Sequence, residues 1–277
     1  MPELPEVEVV RRGLEEGVVG RAFSAVQIYQ PRLRFPVPVT ALQERLPGTR
    51  AASAGRRGKY LLLHLDSGET LLIHLGMSGR LLFVSAAVPL DKHDHVVFRL
   101  NGNGELRFRD PRRFGLVDLC PTAALERHPG LQHLGPEPFS AEFSVSYALK
   151  RAGNSRRNIK SWLLDGQFLA GLGNIYASES LFRAGIHPVR PAGGLSAADW
   201  QRLISSVREV LHEAILQGGT TLQDEGFRNI LNLGGRFQLR LRVYGREGAP
   251  CPVCGARIRR ISQQGRSSYF CPACQPE

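Results

Sequence analysis

Two hundred and seventy-seven residues leave room for one large domain or two ordinary ones, and 42% hydrophobic content excludes a wholly disordered chain. Thirty-six Lys and Arg against 25 Asp and Glu give a net charge of +11. That excess points to a polyanionic partner, most often nucleic acid, with a basic soluble enzyme as the bland alternative.

In chain order, residues 3–19 read as a helix. Pro and Glu suit its first turn, Val7, Val10, Leu14 and Val18 form an apolar stripe, and Gly17 and Gly20 mark the stop. From about 23 to 119 the texture is that of strands. Tyr60–Leu65 and Thr70–Leu75 flank Asp66-Ser67-Gly68-Glu69, and His95–Leu100 and Glu105–Arg109 flank Asn101-Gly102-Asn103-Gly104, two hairpin signals. Apolar runs without crossover helices predict an antiparallel two-layer sheet. The Pro- and Gly-rich stretch 128–140 reads as a linker. Beyond it the pattern is helical, most clearly over about 197–217. There Ser196 and Asp199 make a capping box, Trp200, Leu203, Ile204, Val207, Leu211 and Ile215 recur at helical spacing, and Gly218-Gly219 ends the run. No apolar run reaches the ~18–20 residues that span a bilayer. The acidic opening Met1-Pro2-Glu3-Leu4-Pro5-Glu6 is unlike a signal peptide, so an intracellular chain is expected.

Four of the five cysteines fall in the last 27 residues, as Cys251-x2-Cys254-x16-Cys271-x2-Cys274. Two Cys-x2-Cys knuckles joined by a hairpin supply the tetrahedron of thiolates that a structural zinc requires, with no open position for catalysis. Cys120 stands apart and is expected in the core. The module is basic: from Arg236 to Arg266 there are eight Arg and one acid, Glu247. A zinc-stapled hairpin carrying arginines suits phosphate, because the guanidinium fork bonds two oxygens at once. Only four residues of the chain are lysines: Lys59, Lys92, Lys150 and Lys160.

Loss of Met1 before the small Pro2 would leave a secondary amine. An α-amino group titrates near ~8, against ~10.4 for Lys, so a useful fraction is neutral and nucleophilic at physiological pH. Its imine is an iminium, cationic without an added proton. Glu3 and Glu6 are the nearest carboxylates and are candidates to move protons. The plainer reading is that Pro-Glu only starts the helix, and these residues alone favour it.

Pro2-Glu3-Leu4-Pro5-Glu6-Val7-Glu8 resembles the opening of the formamidopyrimidine-DNA glycosylases. In order along the chain, so do Arg57-Gly58-Lys59-Tyr60-Leu61, His74-Leu75-Gly76-Met77-Ser78-Gly79 and Lys92-His93-Asp94-His95. Asp110-Pro111-Arg112-Arg113-Phe114-Gly115, Gly171-Leu172-Gly173-Asn174-Ile175-Tyr176-Ala177-Ser178-Glu179, Gly218-Gly219-Thr220-Thr221-Leu222, Val243-Tyr244-Gly245-Arg246 and the four-Cys ending continue the match. The resemblance implies an α+β fold. Residues 1–127 would form an N-terminal antiparallel β-sandwich catalytic domain with an N-terminal helix, and 128–140 the linker. Residues 141–240 would form a helix-two-turn-helix DNA-binding domain, and 241–277 a zinc finger. It implies a bifunctional glycosylase and abasic-site lyase that removes oxidised purines, 8-oxoguanine and formamidopyrimidines, opposite cytosine in damaged double-stranded DNA. Strand nicking would follow by β,δ-elimination. The expected setting is base excision repair in the bacterial cytoplasm, nucleoid-associated, by a monomer holding one zinc.

By the same resemblance Pro2 is the nucleophile at C1′ and Glu3 the general acid/base that opens the sugar. Lys59 is the family's strand lysine, a proton donor for β-elimination and a phosphate contact. Arg266 serves phosphate binding and δ-elimination. The target nucleotide must leave the stack, at a cost of a few kcal/mol, and side chains must fill the gap. Met77, Arg112 and Phe114 match the family's three void-fillers. His74, His93, Arg156, Lys160 and Asn174 match further DNA contacts, Asn174 at a helix N-terminus suited to a phosphate, and Arg157 beside Arg156 lies where the family tends to be basic. Residues 222–240 fit the expected lesion-capping loop poorly and look long. An endonuclease VIII-type enzyme acting on oxidised pyrimidines is the second reading. Leu4 after Glu3 and the Met77/Arg112/Phe114 set speak against it. A non-catalytic zinc-finger DNA-binding paralogue is the third, and the retained Pro2, Glu3 and Lys59 speak against that.

Overall fold

Helix α1 covers Leu4–Gly17, with Pro5 in its first turn and Leu4, Val7, Val10 and Leu14 buried. The structure is a computed structural model that describes residues 2–222 and 227–277. Met1, whose loss the sequence reading expects, and 223–226, part of the divergent 222–240 segment, lie outside the described residues. By their contacts the residues fall into two units, Met1–Gln132 with Ile215–Gln238, and His133–Ala214 with Leu239–Glu277.

Among the described residues of the first unit eight strands form two antiparallel four-stranded sheets. They are β1 (Phe23–Ile28), β2 (Ala51–Arg57), β3 (Tyr60–Leu65), β4 (Glu69–His74), β5 (Arg80–Ser85), β6 (Asp94–Leu100), β7 (Gly104–Arg109) and β8 (Leu116–Pro121), with a short α2 (Val39–Arg45) after β1. One sheet runs β1-β6-β7-β5 and the other β2-β3-β4-β8. Both hairpins expected from turn chemistry are present, β3 with β4 and β6 with β7. Alternation drives the layering. Leu61, Leu63 and Leu65 of β3 and Val96, Phe98 and Leu100 of β6 enter one core with Val7, Val10 and Leu14 of α1. Each fully buried Leu or Phe adds roughly 1.5–3 kcal/mol relative to exposure. Phe227 and Ile230, far along the chain, join that core. Ile230 lies against the bare Cα atoms of Gly13 and Gly17 in α1, and its carbonyl accepts the Phe83 N–H at 2.8 Å. Cys120, expected in the core, is only half-buried on β8, and burial with Asp118 beside it pushes its thiol up.

Polar residues cover the other face of β7. Arg107 is 1% exposed and pairs with Glu105 at 2.6 Å and Asp94 at 3.5 Å, while its guanidinium donates to the carbonyls of Val88 and Pro89. A buried cation of this kind is stable only because every side of it meets an acceptor.

The second unit is built on α3 (Val145–Ala152), α4 (Ile159–Leu163), α5 (Asn174–Ala184) and α6 (Ala197–Leu216), followed by β9 (Arg259–Gln263) and β10 (Arg266–Phe270). The capping box at Ser196 and Asp199 is made in both directions, at 3.1 and 3.0 Å. The predicted stripe of α6 is buried throughout, from Trp200 and Leu203 at 0% to Ile215 at 8%. Trp200 also meets Phe168, which contacts Phe143, Tyr147 and Trp162. Strands β9 and β10 pair antiparallel through Gln264 and Gly265 at φ 50° and 73°, two left-handed residues as a two-residue hairpin turn requires. No described helix is long and apolar enough to cross a membrane.

Candidate active site and metal centre

The start of α1 brings carboxylates to the chain terminus. Pro2 is buried, and Glu3 and Glu6 are each 2% exposed. Glu3 is the N-cap, in extended backbone. Glu6 reaches back, as the last member of a capping box does, and Oε2 accepts the Glu3 N–H at 2.8 Å. Oε1 accepts the Thr220 N–H at 2.7 Å. Glu6, read from sequence as a proton carrier, is therefore also a brace that ties the terminus to the Gly218–Thr221 segment. A Cβ on Gly219, which sits at φ 81°, would lie 2.9 Å from that same oxygen, so glycine is required there.

Lys59 lies beside Gly58 in the two-residue turn between β2 and β3, closed by the Arg57–Tyr60 pair, and not on a strand. Gly58 supplies the positive φ of 56° that the turn needs. Opposite Tyr60 stands His74, with ring centres 4.7 Å apart. Its Nδ1 accepts the Gly76 N–H at 3.0 Å, which leaves the proton on Nε2. Burial first, then the charges of Lys59 and Arg34, lower its pKa to about 4. At neutral pH His74 is thus an uncharged donor. Arg34, which the sequence does not single out, belongs to this basic corner. Its N–H donates to the Gly115 carbonyl at 3.3 Å.

Met77 is half-buried in the turn after β4, and Phe114 is 43% exposed, so neither is core. Arg112 is exposed, with its guanidinium carbon 5.0 Å from the centre of the Phe114 ring. Arg113 between them adopts φ 56°, a left-handed conformation costly for a side chain of its size. His93 is half-buried, and its carbonyl accepts the Asp110 N–H at 3.1 Å. The loop that carries Arg112 and Phe114 joins β7 to β8, so the last turns of both sheets set where these side chains stand.

In the second unit Arg266 is exposed at the head of β10. Lys160 is not an open cation. It is 1% exposed, and Nζ donates to the Ser267 carbonyl at 2.6 Å and Ser268 Oγ at 2.8 Å. Asn174 is the first residue of α5, as expected, and its Nδ2 donates to the same Ser267 carbonyl at 3.1 Å. Both therefore grip the strand beside Arg266. Arg156 is exposed, and Arg157 pairs with Asp165 at 2.8 Å. Glu179, 3% exposed, accepts the backbone N–H groups of Arg242, Val243 and Tyr244 at 2.8–3.0 Å. Burial pushes its carboxyl up, and those three donors oppose the push. This anchor was not anticipated from the sequence; its signal was the one acid of α5, set in mid-helix among apolar and small residues.

Cys251, Cys254, Cys271 and Cys274 place their sulfurs within 4.8 Å of one another. Cys251 Sγ lies 3.9 Å from Cys274 Sγ, and Cys254 Sγ 3.4 Å from Cys271 Sγ. A zinc–thiolate tetrahedron with bonds of about 2.3 Å has sulfur–sulfur edges of about 3.8 Å, so the four fit one structural zinc. Phe182, Val243, Ile258 and Phe270 pack around the site.

Comparison with known proteins identifies the family. Residues 1–117 match the profile of the formamidopyrimidine-DNA glycosylase N-terminal domain, 134–225 that of its H2TH domain, and 248–276 the zinc finger found in FPG and IleRS. The formamidopyrimidine-DNA glycosylase of Cereibacter sphaeroides is 50% identical over 285 residues, covering 99% of this chain and 100% of the relative. The crystal structure of MutM (Fpg) from Thermus thermophilus superposes with a TM-score of 0.89 at 42% identity, covering 100% of this chain and 99% of that one. A Lactococcus lactis Fpg variant in complex with Fapy-dG containing DNA gives 0.91 at 34% identity, with full coverage of both chains. The chain belongs to the formamidopyrimidine-DNA glycosylase family.

Proposed function

We propose that this protein is a DNA glycosylase and abasic-site lyase that acts, as a monomer, on oxidised purines in duplex DNA. The observation that carries the reading is the buried Pro2-Glu3-Glu6 start of α1, with Glu6 holding the Glu3 and Thr220 amides in place. Without Met1, the neutral Pro2 nitrogen attacks C1′ of an extruded nucleotide. Glu3 gives a proton to the sugar oxygen as the ring opens, and the C1′–N bond to the damaged base breaks, the base leaving with the proton that the Pro2 nitrogen gives up. The product is an iminium that acidifies C2′–H: the Glu3 carboxylate, left without its proton by ring opening, takes that hydrogen as a proton while the C3′–O bond breaks and the 3′ phosphate leaves. Lys59 supplies a proton in that elimination, and Arg266 holds phosphate for the second one. Met77, Arg112 and Phe114 occupy the vacated space, while His74, His93, Arg156, Lys160 and Asn174 serve the backbone, Lys160 and Asn174 by holding the strand of Arg266. The zinc orders the hairpin and takes no part in the chemistry.

The substrate class is tested with duplexes carrying 8-oxoguanine opposite cytosine or thymine glycol opposite adenine. The expected result is strong preference for the purine lesion. Preference for the pyrimidine would favour the endonuclease VIII-type reading, and no cleavage of either would favour a binding protein.

A further inference from the structure

The three proposed void-fillers come from two loops, and both loops cross from one sheet to the other. The turn at 75–79 leads from β4 to β5, and the loop at 110–115 leads from β7 to β8. Because β4 pairs with β8 and β5 with β7, the two crossings run side by side. They meet at backbone distance. A Cβ on Gly76 would lie 2.5 Å from the Phe114 carbonyl carbon and 2.6 Å from the Gly115 nitrogen.

One carboxylate ties them together. Asp110 is fully buried, at 0% exposure. Its Oδ1 accepts the Ser78 hydroxyl at 2.6 Å and the Arg112 N–H at 3.3 Å, and its Oδ2 accepts the Gly115 N–H at 2.8 Å. Ser78 follows Met77, and Gly115 follows Phe114. The main chain of Asp110 extends the set: its N–H donates to the His93 carbonyl, and its carbonyl accepts from His95 Nε2 at 2.8 Å and the Arg113 N–H at 3.1 Å.

We propose that Asp110 is a positioning residue that holds Met77, Arg112 and Phe114 in one preset arrangement, ready to enter the helix together. The inference rests on the void-filler roles proposed above. Its physical basis is preorganisation. Unstacking a nucleotide is costly, so wedges that must also be ordered at that moment lose part of their advantage. A buried carboxylate with several N–H and O–H donors fixes both loops beforehand. Asp110→Asn keeps the volume but removes the charge that strengthens the set and places an amide N–H, which cannot accept, against either the Gly115 N–H or the Arg112 N–H.

The test uses full-length protein and a duplex bearing 8-oxoguanine opposite C, with 2-aminopurine beside the lesion as a stacking reporter. The wild type gives a fluorescence rise on binding. For Asp110→Asn the expected results are loss of most of that rise, an excision rate at least tenfold lower, and a fivefold or greater fall in preference for C over A opposite the lesion. Nicking at a preformed abasic site, which has no base to extrude, changes less than threefold. A purely structural aspartate predicts an equal loss on both substrates with the C-over-A ratio intact, and that result overturns the proposal. Ser78→Ala, which removes the hydroxyl that donates to Asp110 and accepts the Arg112 N–H at 3.2 Å, is read the same way if the first variant fails to fold. A three- to tenfold loss of excision with a reduced rise supports the proposal, and wild-type behaviour overturns it. If the wild type excises no 8-oxoguanine, the functional reading fails instead, and the fluorescence step on abasic duplex still decides the role of Asp110.

Discussion

A secondary amine at a chain terminus differs from any lysine in two ways that matter here: it loses its proton near neutral pH, and the imine it forms carries a fixed positive charge. Composition cannot reveal the proposed use, because Pro-Glu at a helix start has an ordinary explanation; the buried carboxylates Glu3 and Glu6 around it are what support it. His74 makes a second residue-scale point. With a pKa near 4 in the folded protein, against about 6.5 in an unfolded chain, its imidazole is uncharged in the native state. Above pH 6.5 neither state holds the proton, and stability is unaffected. As pH falls from 6.5 towards 4 the unfolded chain binds a proton that the native one refuses, and stability drops by up to about 2–3 kcal/mol. Urea midpoints between pH 7 and 4.5 should therefore fall less steeply in His74→Asn than in the wild type. Equal slopes would show that neither burial nor the charges of Lys59 and Arg34 keep this ring from taking a proton.

At the scale of elements, the strongly periodic pieces were legible and the irregular ones were not. The α6 stripe and its capping box, the two hairpins and the Cys-x2-Cys pairs all stand where local pattern puts them, because each rests on spacing alone. Strands β1, β2, β5 and β8 carried no turn signal sharp enough to bound them, and α2 none at all. Side chains whose role depends on a distant partner escaped as well: Asp110 needs Ser78, Glu179 needs Arg242–Tyr244, and Lys160 looked like an open cation until Ser267 and Ser268 closed over it. Ile230 belongs with these. Its side chain fills the space left by Gly13 and Gly17 beside Phe83, and thereby fixes one stem of the 222–240 segment on α1. Ile230→Ala leaves a cavity worth roughly 2–4 kcal/mol, or roughly 5–10 °C in melting temperature. Calorimetry measures it, and a shift under 2 °C would mean that the segment is not anchored there.

Across the whole molecule, charge and metal act together. The excess of +11 supplies attraction to phosphate that does not depend on sequence, and eight arginines lie between Arg236 and Arg266. Their placement on β9, β10 and the preceding segment depends on the four-thiolate site, because a hairpin of this size has too little core to hold itself. Removing zinc with a strong chelator should lower affinity for duplex DNA at least tenfold and flatten its salt dependence, while the far-ultraviolet signal of the sheets persists. Unaltered affinity would separate the metal from DNA binding. The chain order hides one more feature. Residues 215–238 leave the helical unit and return to the β-sandwich, where Phe227 and Ile230 complete the core and Thr220 meets Glu6. No local pattern announces such a return.

The central claim is that the terminal imino nitrogen bonds to the sugar. Borohydride reduction during reaction with an 8-oxoguanine duplex, followed by proteolysis and mass mapping, tests it most directly. The account predicts a stable adduct on a peptide that begins at Pro2, abolished when that nitrogen is blocked by retained Met1 while DNA binding persists. An adduct on Lys59 or another lysine, or undiminished trapping with the terminus blocked, would contradict it.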